Sequence, residues 1–416
     1  MSHPISLYID SLAAGGDGVG RIGGKVCFVP FTAPGDTVTV NIVKRNSKYL
    51  KGALSVLKEG SASRRPSPCA LFEICGGCQW LHLEYGAQLA AKQEILSHAL
   101  GRPDIEVVPS PDSLGYRSLA RLHTGPTGTG ETVTGFIHVN GQETVNIPAC
   151  PVLDDRLNAA LEQTDRLGQA AKLRDAEIRL VLGDAGPVAC FSHTGPFPPA
   201  FYAAARDAVS SGFAGIWGMS EGIGHVIAGT ADLEITGTDD RPFTSPAKSF
   251  GQANRGVNRH IADTIRAWLE DRRFETGVEL FAGAGNHTVT AAPYINTLTA
   301  TEIDPDACRA MEINLARRHI DHVCVASGEA LEMYETFGKN ADLILLNPPR
   351  TGHRALAQAV ANGRHKAVLY ISCNPATLSR DLAELYPAGF TIENVRGFDM
   401  FPQTAHMEAA VLLTRP

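Results

Sequence analysis

From about residue 252 onward, apolar runs of strand length alternate with helical text, and nothing else in the chain constrains its fold as strongly. Strand-like segments recur at 277–281, 297–302, 322–325, 342–346, 366–372, 391–396 and 408–413, with helical stretches between most of them and another over 254–270 in front. Strands separated by crossover helices predict a doubly wound, mostly parallel, Rossmann-like α/β sheet. Such sheets hold ligands in a crevice outside the carboxyl ends of their strands. The residues that end each strand are therefore where chemistry is expected.

At 416 residues the chain is too long for one ordinary core. Residues 1–58 read as short alternating segments broken by Gly15-Gly16-Asp17-Gly18 and Pro34-Gly35-Asp36, which predicts a small β-barrel of the oligonucleotide-binding kind. Residues 59–248 carry a cysteine-rich stretch, a helix over 86–100 and strands over 135–139, 176–182 and 188–191, read as one central α+β domain. Residues 249–416 form the doubly wound domain.

The formal net charge of −7 argues against a protein that coats nucleic acid by bulk charge. A local basic patch is present nonetheless: Lys44, Arg45, Lys48, Lys51, Lys58, Arg64 and Arg65 stand close together against the single acid Glu59. With 44% hydrophobic and 19% charged residues the composition is that of a soluble globular chain. No apolar stretch approaches a membrane span, and Met1-Ser2-His3-Pro4 opens no secretory leader. The expected address is cytoplasmic, with no membrane partner and the chain acting as a monomer.

Several strand ends carry candidate chemistry. After the first, Glu279-Leu280-Phe281-Ala282-Gly283-Ala284-Gly285-Asn286 has glycines that let the backbone approach a ligand and turn into a helix. Glu302 ends the second strand, where a carboxylate accepts both hydroxyls of a ribose. Glu329 follows the third, a place from which an acid meets an adenine amine. After the fourth, successive prolines in Asn347-Pro348-Pro349-Arg350 hold Asn347 rigidly at the sheet edge. After the fifth, Cys373 lies in Ile371-Ser372-Cys373-Asn374-Pro375, and Glu408 opens the last strand in His406-Met407-Glu408. The bland reading of a lone cysteine is burial, which is what Cys308 and Cys324 are expected to show.

The pair Cys373 and Glu408 suits one particular reaction. A pyrimidine C5 is too weak a nucleophile to attack a sulfonium methyl group. A thiolate adding to C6 makes an enolate with nucleophilic density at C5, and a base must then remove the C5 proton so that the thiolate can leave. Cys373 fits the nucleophile and Glu408 the general base.

The chain has nine cysteines, and Cys69, Cys75 and Cys78 are tightly clustered, with Cys150 before Pro151 as a candidate fourth ligand. In a cytoplasmic chain such a cluster points to metal or redox chemistry rather than to structural disulfides. Three close cysteines plus a distant one before a proline suit a [4Fe–4S] cluster. Zinc is the alternative, although the gap between Cys69 and Cys75 exceeds its usual ligand spacing.

Together the runs Phe250-Gly251-Gln252-Ala253-Asn254, Phe281 to Asn286, Glu302-Ile303-Asp304, Asn347 to Arg350, Ser372 to Pro375 and His406 to Glu408 resemble the RNA uracil-C5 methyltransferases that act on 23S ribosomal RNA or transfer RNA. Seven strands closed by one from the last residues is likewise the layout of S-adenosyl-L-methionine-dependent methyltransferases. The resemblance implies that cofactor, with contacts at Gln252, Phe281, Asn286, Glu302 and Asn347, and it implies Cys373 as nucleophile and Glu408 as base. Residues 1–58 resemble a TRAM domain through Gly16-Asp17-Gly18-Val19-Gly20, Phe28-Val29-Pro30 and Pro34-Gly35-Asp36, which implies a barrel carrying the basic patch to RNA phosphates. In the large-subunit ribosomal enzymes such a domain accompanies a cysteine cluster. The resemblance thus implies 23S rRNA as partner and an iron–sulfur cluster on Cys69, Cys75, Cys78 and Cys150, with tRNA as the alternative substrate.

Two positions depart from the family. Asn347 stands where Asp is usual, and Ala282 where Cys is common. A carboxamide answers both the N3–H donor and the O4 acceptor of uracil, whereas a carboxylate answers only the first unless protonated. Two other readings stay open: amide or amine methylation through Asn347-Pro348-Pro349, which leaves Cys373 without a role, and a non-catalytic RNA-binding protein that keeps the fold.

Overall fold

The computed structural model describes residues 4–103 and 105–415. Residues 5–59 form a six-stranded sheet curled over Leu7, Ile9, Cys27, Val29, Val38, Val40 and Leu50. Its strands cross so closely that a Cβ on Gly20 would lie 2.3 Å from the Tyr8 carbonyl oxygen, which is why a glycine stands there. Two strands, Thr37–Arg45 and Tyr49–Glu59, carry most of the basic patch. Arg64 and Arg65 are bound internally instead. Arg64 donates to the fully buried carboxylate of Asp36 at 2.7 Å, and Arg65 donates to Gln403.

Residues 119–229 form a seven-stranded sheet covered by the helices Asp155–Ala170 and Pro199–Ser210. Asp154 caps the first helix by accepting from the Arg156 backbone N–H. Leu157, Leu167, Phe191 and Phe201 fill the layer between helices and sheet. A short hairpin, Asp232–Thr236 with Pro242–Pro246, then leads to the third sheet. Asn314 stitches it there, accepting from the Thr244 N–H at 2.7 Å and donating to the Thr244 and Ala284 carbonyls.

The third sheet is the predicted doubly wound one, with eight strands rather than seven. In spatial order they are Val323–Ser327, Ile295–Glu302, Phe274–Leu280, Leu343–Leu346, Ala367–Ser372, Glu408–Thr414, Thr391–Phe398 and Val107–Val108. Phe274–Leu280 lies parallel to both Ile295–Glu302 and Leu343–Leu346. The chain first winds outward to one side and then returns to the other, so the switch point falls between Phe274–Leu280 and Leu343–Leu346. The eighth strand comes from the central region. Two valines carry no readable period, and only their parallel pairing with Gly397 and Phe398 makes them a strand.

The helix Arg255–Leu269 packs on this sheet through Val257, Ile261, Ile265 and Leu269, spaced by four and all 0% exposed. Burial of each such side chain contributes about 1.5–3 kcal/mol. Asn254 caps that helix through the Val257 N–H. One expectation is corrected here: Cys308 is buried, but Cys324 is exposed. It lies on Val323–Ser327, the edge strand, which has a neighbour on one side only. Among the described residues no helix is long and apolar enough to cross a membrane.

Candidate active site

The switch point opens into a cavity of about 920 Å³. Its lining brings together the cysteine cluster, Cys373 with Glu408, and Gln252, Phe281, Gly283, Glu302 and Asn347.

The glycine loop has the tight backbone its sequence predicts. Gly283 and Gly285 have φ of 58° and 90°, and Phe281 adopts φ 64°. A left-handed aromatic residue is strained by about 1–3 kcal/mol, and such strain persists where the surroundings fix it, commonly at ligand sites. The turn brings the Gly283 N–H within 2.9 Å of Glu302 Oε2. Glu302 Oε1 accepts from the N–H groups of Ile303 and Asp304 at 2.8 and 3.1 Å. Three backbone donors thus fix an acceptor carboxylate at the end of the second strand.

Asn347 follows Leu346, whose strand lies parallel to Ala367–Ser372 and pairs Leu346 with Tyr370. The ends of these strands are tied by Asn374 and Thr377, both donating to the Arg350 carbonyl. Asn374 also caps the helix Pro375–Leu385, accepting from the Ala376 N–H at 3.0 Å. Cys373 therefore stands just ahead of a helix N-terminus, whose partial positive charge favours a thiolate.

Glu408 reaches Cys373 through sheet register. Ala367–Ser372 runs antiparallel to Glu408–Thr414, with Ser372 opposite Ala409. Cys373 and Glu408 each lie one residue beyond that pair, near enough for the Glu408 charge to act on the thiol. Burial pushes the Glu408 carboxyl, 4% exposed, up to about 8. The Cys373 thiol is pushed up to about 11, first by burial and then by the Glu408 charge, while Arg350 acts to lower it. His406 lines the same cavity, and burial, followed by the charges of Arg350, Lys92 and Arg117, brings it down to about 4, so it is neutral at pH 7.

Two expected cofactor contacts lie outside this lining. Asn286 exchanges hydrogen bonds with Asn258 at 2.9 and 2.8 Å, joining the glycine loop to the helix Arg255–Leu269. Glu329 caps the short helix Ala330–Met333, accepting from Leu331 and Glu332.

Cys69, Cys75, Cys78 and Cys150 share one wall of the cavity. Burial raises the Cys75 and Cys78 thiols to about 11 and about 12 and also raises Cys150; the charges of neighbouring cysteines add to each. The expected metal set is convergent but not drawn into ligating range. Among the described residues no group of three or more His, Cys, Asp or Glu is gathered closely enough to hold a metal ion. Thiols are weak hydrogen-bond partners, so packing alone does not draw them together. Their donor chemistry, four sulfurs and no carboxylate, fits an iron–sulfur cluster or zinc.

Sequence reading missed Arg117, a lone arginine that joins no motif. Its guanidinium lies 5.8 Å from the Phe401 ring, and its charge lowers the cost of ionising Cys75, Cys78 and Cys150. Its charge also acts on His406.

The comparisons with known proteins agree with this layout. The model of the tRNA (Uracil-5-)-methyltransferase family matches residues 231–416, and that of the TRAM domain matches residues 7–54. An uncharacterised RNA methyltransferase of Thermosynechococcus vestitus is 30% identical, covering 99% of this chain and 98% of its own. A 23S rRNA (uracil(1939)-C(5))-methyltransferase of Chromohalobacter salexigens is 30% identical over 98% of this chain and 89% of that one. Among solved structures, the tRNA (uracil-54, C5)-methyltransferase of Pyrococcus abyssi, in complex with S-adenosyl-L-homocysteine, matches with a TM-score of 0.77. It is 24% identical and covers 99% of this chain and 100% of its own.

Proposed function

The chain belongs to the RNA uracil-C5 methyltransferase family, and on that footing we propose that it methylates uracil C5 in 23S ribosomal RNA, in the cytoplasm and as a monomer, through a covalent Cys373 adduct. The observation that carries this reading is the register that brings Cys373 near Glu408 in one cavity with Glu302 and Asn347. S-adenosyl-L-methionine, when bound, supplies an electrophilic methyl group. Gln252, Phe281, Glu302 and Asn347 are the residues we assign to hold it, Glu302 through its fixed carboxylate. Asn286 supports the glycine loop from behind, and Glu329 acts as a helix cap near the adenine end.

The Cys373 sulfur adds to C6 of the target base, which places nucleophilic density on C5. Once C5 carries the methyl group, Glu408 takes the C5 proton, the C6–S bond breaks and the thiolate leaves. The target base leaves its stack to reach Cys373. Asn347 offers one acceptor and one donor, a match for uracil N3–H and O4. Cys69, Cys75, Cys78 and Cys150 would hold a [4Fe–4S] cluster, which would supply a structural brace for the RNA-binding side of the cavity.

The relative of Chromohalobacter salexigens, named for a 23S rRNA uracil, favours ribosomal RNA; the structural match to a tRNA enzyme keeps tRNA as the second reading. Mass-spectrometric nucleoside analysis of separately purified ribosomal and transfer RNA, from cells with and without the gene, tests both. Loss of 5-methyluridine from ribosomal RNA alone is the expected result. Loss from tRNA alone overturns the substrate, and no loss from either overturns the reaction.

A further inference from the structure

A loop over residues 399–407 joins the strands Thr391–Phe398 and Glu408–Thr414 and lines the cavity through Phe401, Thr404 and His406, and Gln403 fastens it. Gln403 is 0% exposed and has φ 69°, a conformation that L side chains avoid. Its Oε1 accepts from Arg65 at 2.8 Å and from Gln88 at 2.9 Å, and its Nε2 donates to the Ser113 carbonyl at 3.0 Å. Its backbone N–H donates to Gln88 Oε1 at 2.8 Å. Its carbonyl accepts from the N–H groups of Gln79 and Trp80 at 3.1 and 2.9 Å. All four of its polar atoms are therefore used, and every partner comes from outside its own sheet.

Gln79 and Trp80 directly follow Cys78. Glu408 stands five positions after Gln403 and begins its strand opposite Phe398, so the loop sets the path by which the chain enters that strand. The left-handed residue is held by partners rather than by its own preference, and a loop with that construction loses its path when the partners go. Proton transfer demands heavy atoms within hydrogen-bond reach, and small displacements slow it steeply.

We infer that Gln403 is a positioning residue for Glu408, its side chain fastening the loop that leads into the Glu408 strand to Arg65, Gln88 and Ser113. This rests on the reading of Glu408 as the base. In the reaction the Cys373 thiolate bonds to C6, C5 takes the methyl group as its bond to the sulfonium sulfur breaks and leaves a neutral thioether, and Glu408 removes the C5 proton as the C6–S bond breaks and the thiolate leaves. Gln403 acts only on the last of these steps.

The test uses the full-length protein with RNA containing uracil or 5-fluorouracil. The fluorinated base traps Cys373 without requiring removal of a C5 proton. Gln403→Ala is expected to lower kcat about 10- to 100-fold with KM for RNA nearly unchanged. It should accumulate a denaturation-resistant adduct on ordinary uracil RNA and trap 5-fluorouracil RNA at the wild-type rate. Gln403→Glu, which keeps both acceptor bonds at Oε1 but turns an acceptor toward the Ser113 carbonyl, should recover part of kcat. If Gln403→Ala does not fold, Gln88→Leu removes the same anchor from the facing helix and is read in the same way. Equal slowing of trapping and turnover, or unchanged turnover, overturns the inference. Wild-type turnover by Glu408→Gln overturns the base assignment itself, so the two failures are told apart.

Discussion

The four clustered cysteines of the cavity lining and the separate Cys373 are all half-buried, yet they sit among different neighbours. Burial is the first cause of the raised thiol pKa at Cys75, Cys78 and Cys373 alike, so burial does not separate the two. Neighbours do. Around Cys75 and Cys78 the next charges are mostly other thiols, which a cation alone would satisfy. Around Cys373 stand a carboxyl group, Arg350 and a helix N-terminus, which are the parts of an acid–base centre. The same side chain is made a candidate ligand in one place and a candidate nucleophile in the other.

The comparison breaks most sharply on the thiols themselves. Cys373→Ala should lower 5-methyluridine formation on the order of 10⁴-fold or more and abolish trapping of 5-fluorouracil RNA, read on a denaturing gel. Cys78→Ser should leave trapping in place. Equal loss from both would erase the distinction. Next in size, Glu408→Gln should reduce turnover about 10²–10⁴-fold while a stable protein–RNA adduct accumulates, and a variant with neither effect would remove Glu408 from the chemistry.

Cys75→Ser should lose bound iron and visible absorbance in purified protein while trapping by Cys373 continues; iron content equal to wild type would mean that Cys75 is not a ligand. A gentler effect is expected from pH. Glu408 must be ionised to accept a proton, and burial raises its carboxyl to about 8. Turnover limited by that step should rise as pH increases through about 8 and then level; a decline across the same range would contradict it.

The smallest effect isolates burial from neighbours. Burial also raises the carboxyl of Glu279, in a strand of the sheet core, to about 8 against an ordinary 4.5. The folded state therefore holds a proton that the unfolded state releases, and stability falls as pH climbs from the ordinary value through the raised one. Glu279→Gln should lift the melting temperature by a few degrees at alkaline pH and change it little in acid. Equal melting temperatures in alkali would mean that the carboxyl is relieved by an unseen partner.

The C-terminal sheet was legible because its strands are buried on both faces and read as continuous apolar runs, as in Ala367–Ser372, where every residue is buried. The strand ends then follow from the sheet, so the sequence alone assigns Phe281, Glu302, Asn347 and Cys373 to one crevice. Asn286 and Glu329 were legible as positions but not as contacts. Whether an amide faces a cavity or a neighbouring helix depends on packing that spacing does not encode. Val107–Val108, the exposed Cys324, Arg117 and the anchoring of Gln403 left no periodic signal at all.

The sequence by itself determined a doubly wound sheet, a basic N-terminal barrel, a thiol at a strand end and the residue types needed for C5 methylation. Tertiary structure alone decided that Cys373 meets Glu408, because antiparallel pairing joins strands with a whole helix between them in sequence. It alone decided that the cysteine wall and the catalytic pair share one cavity. It also fastened the Glu408 loop to the backbone after Cys78, through hydrogen bonds between residues more than three hundred positions apart. Local chemistry is written in neighbouring residues; proximity between distant ones exists only once the chain has closed on itself.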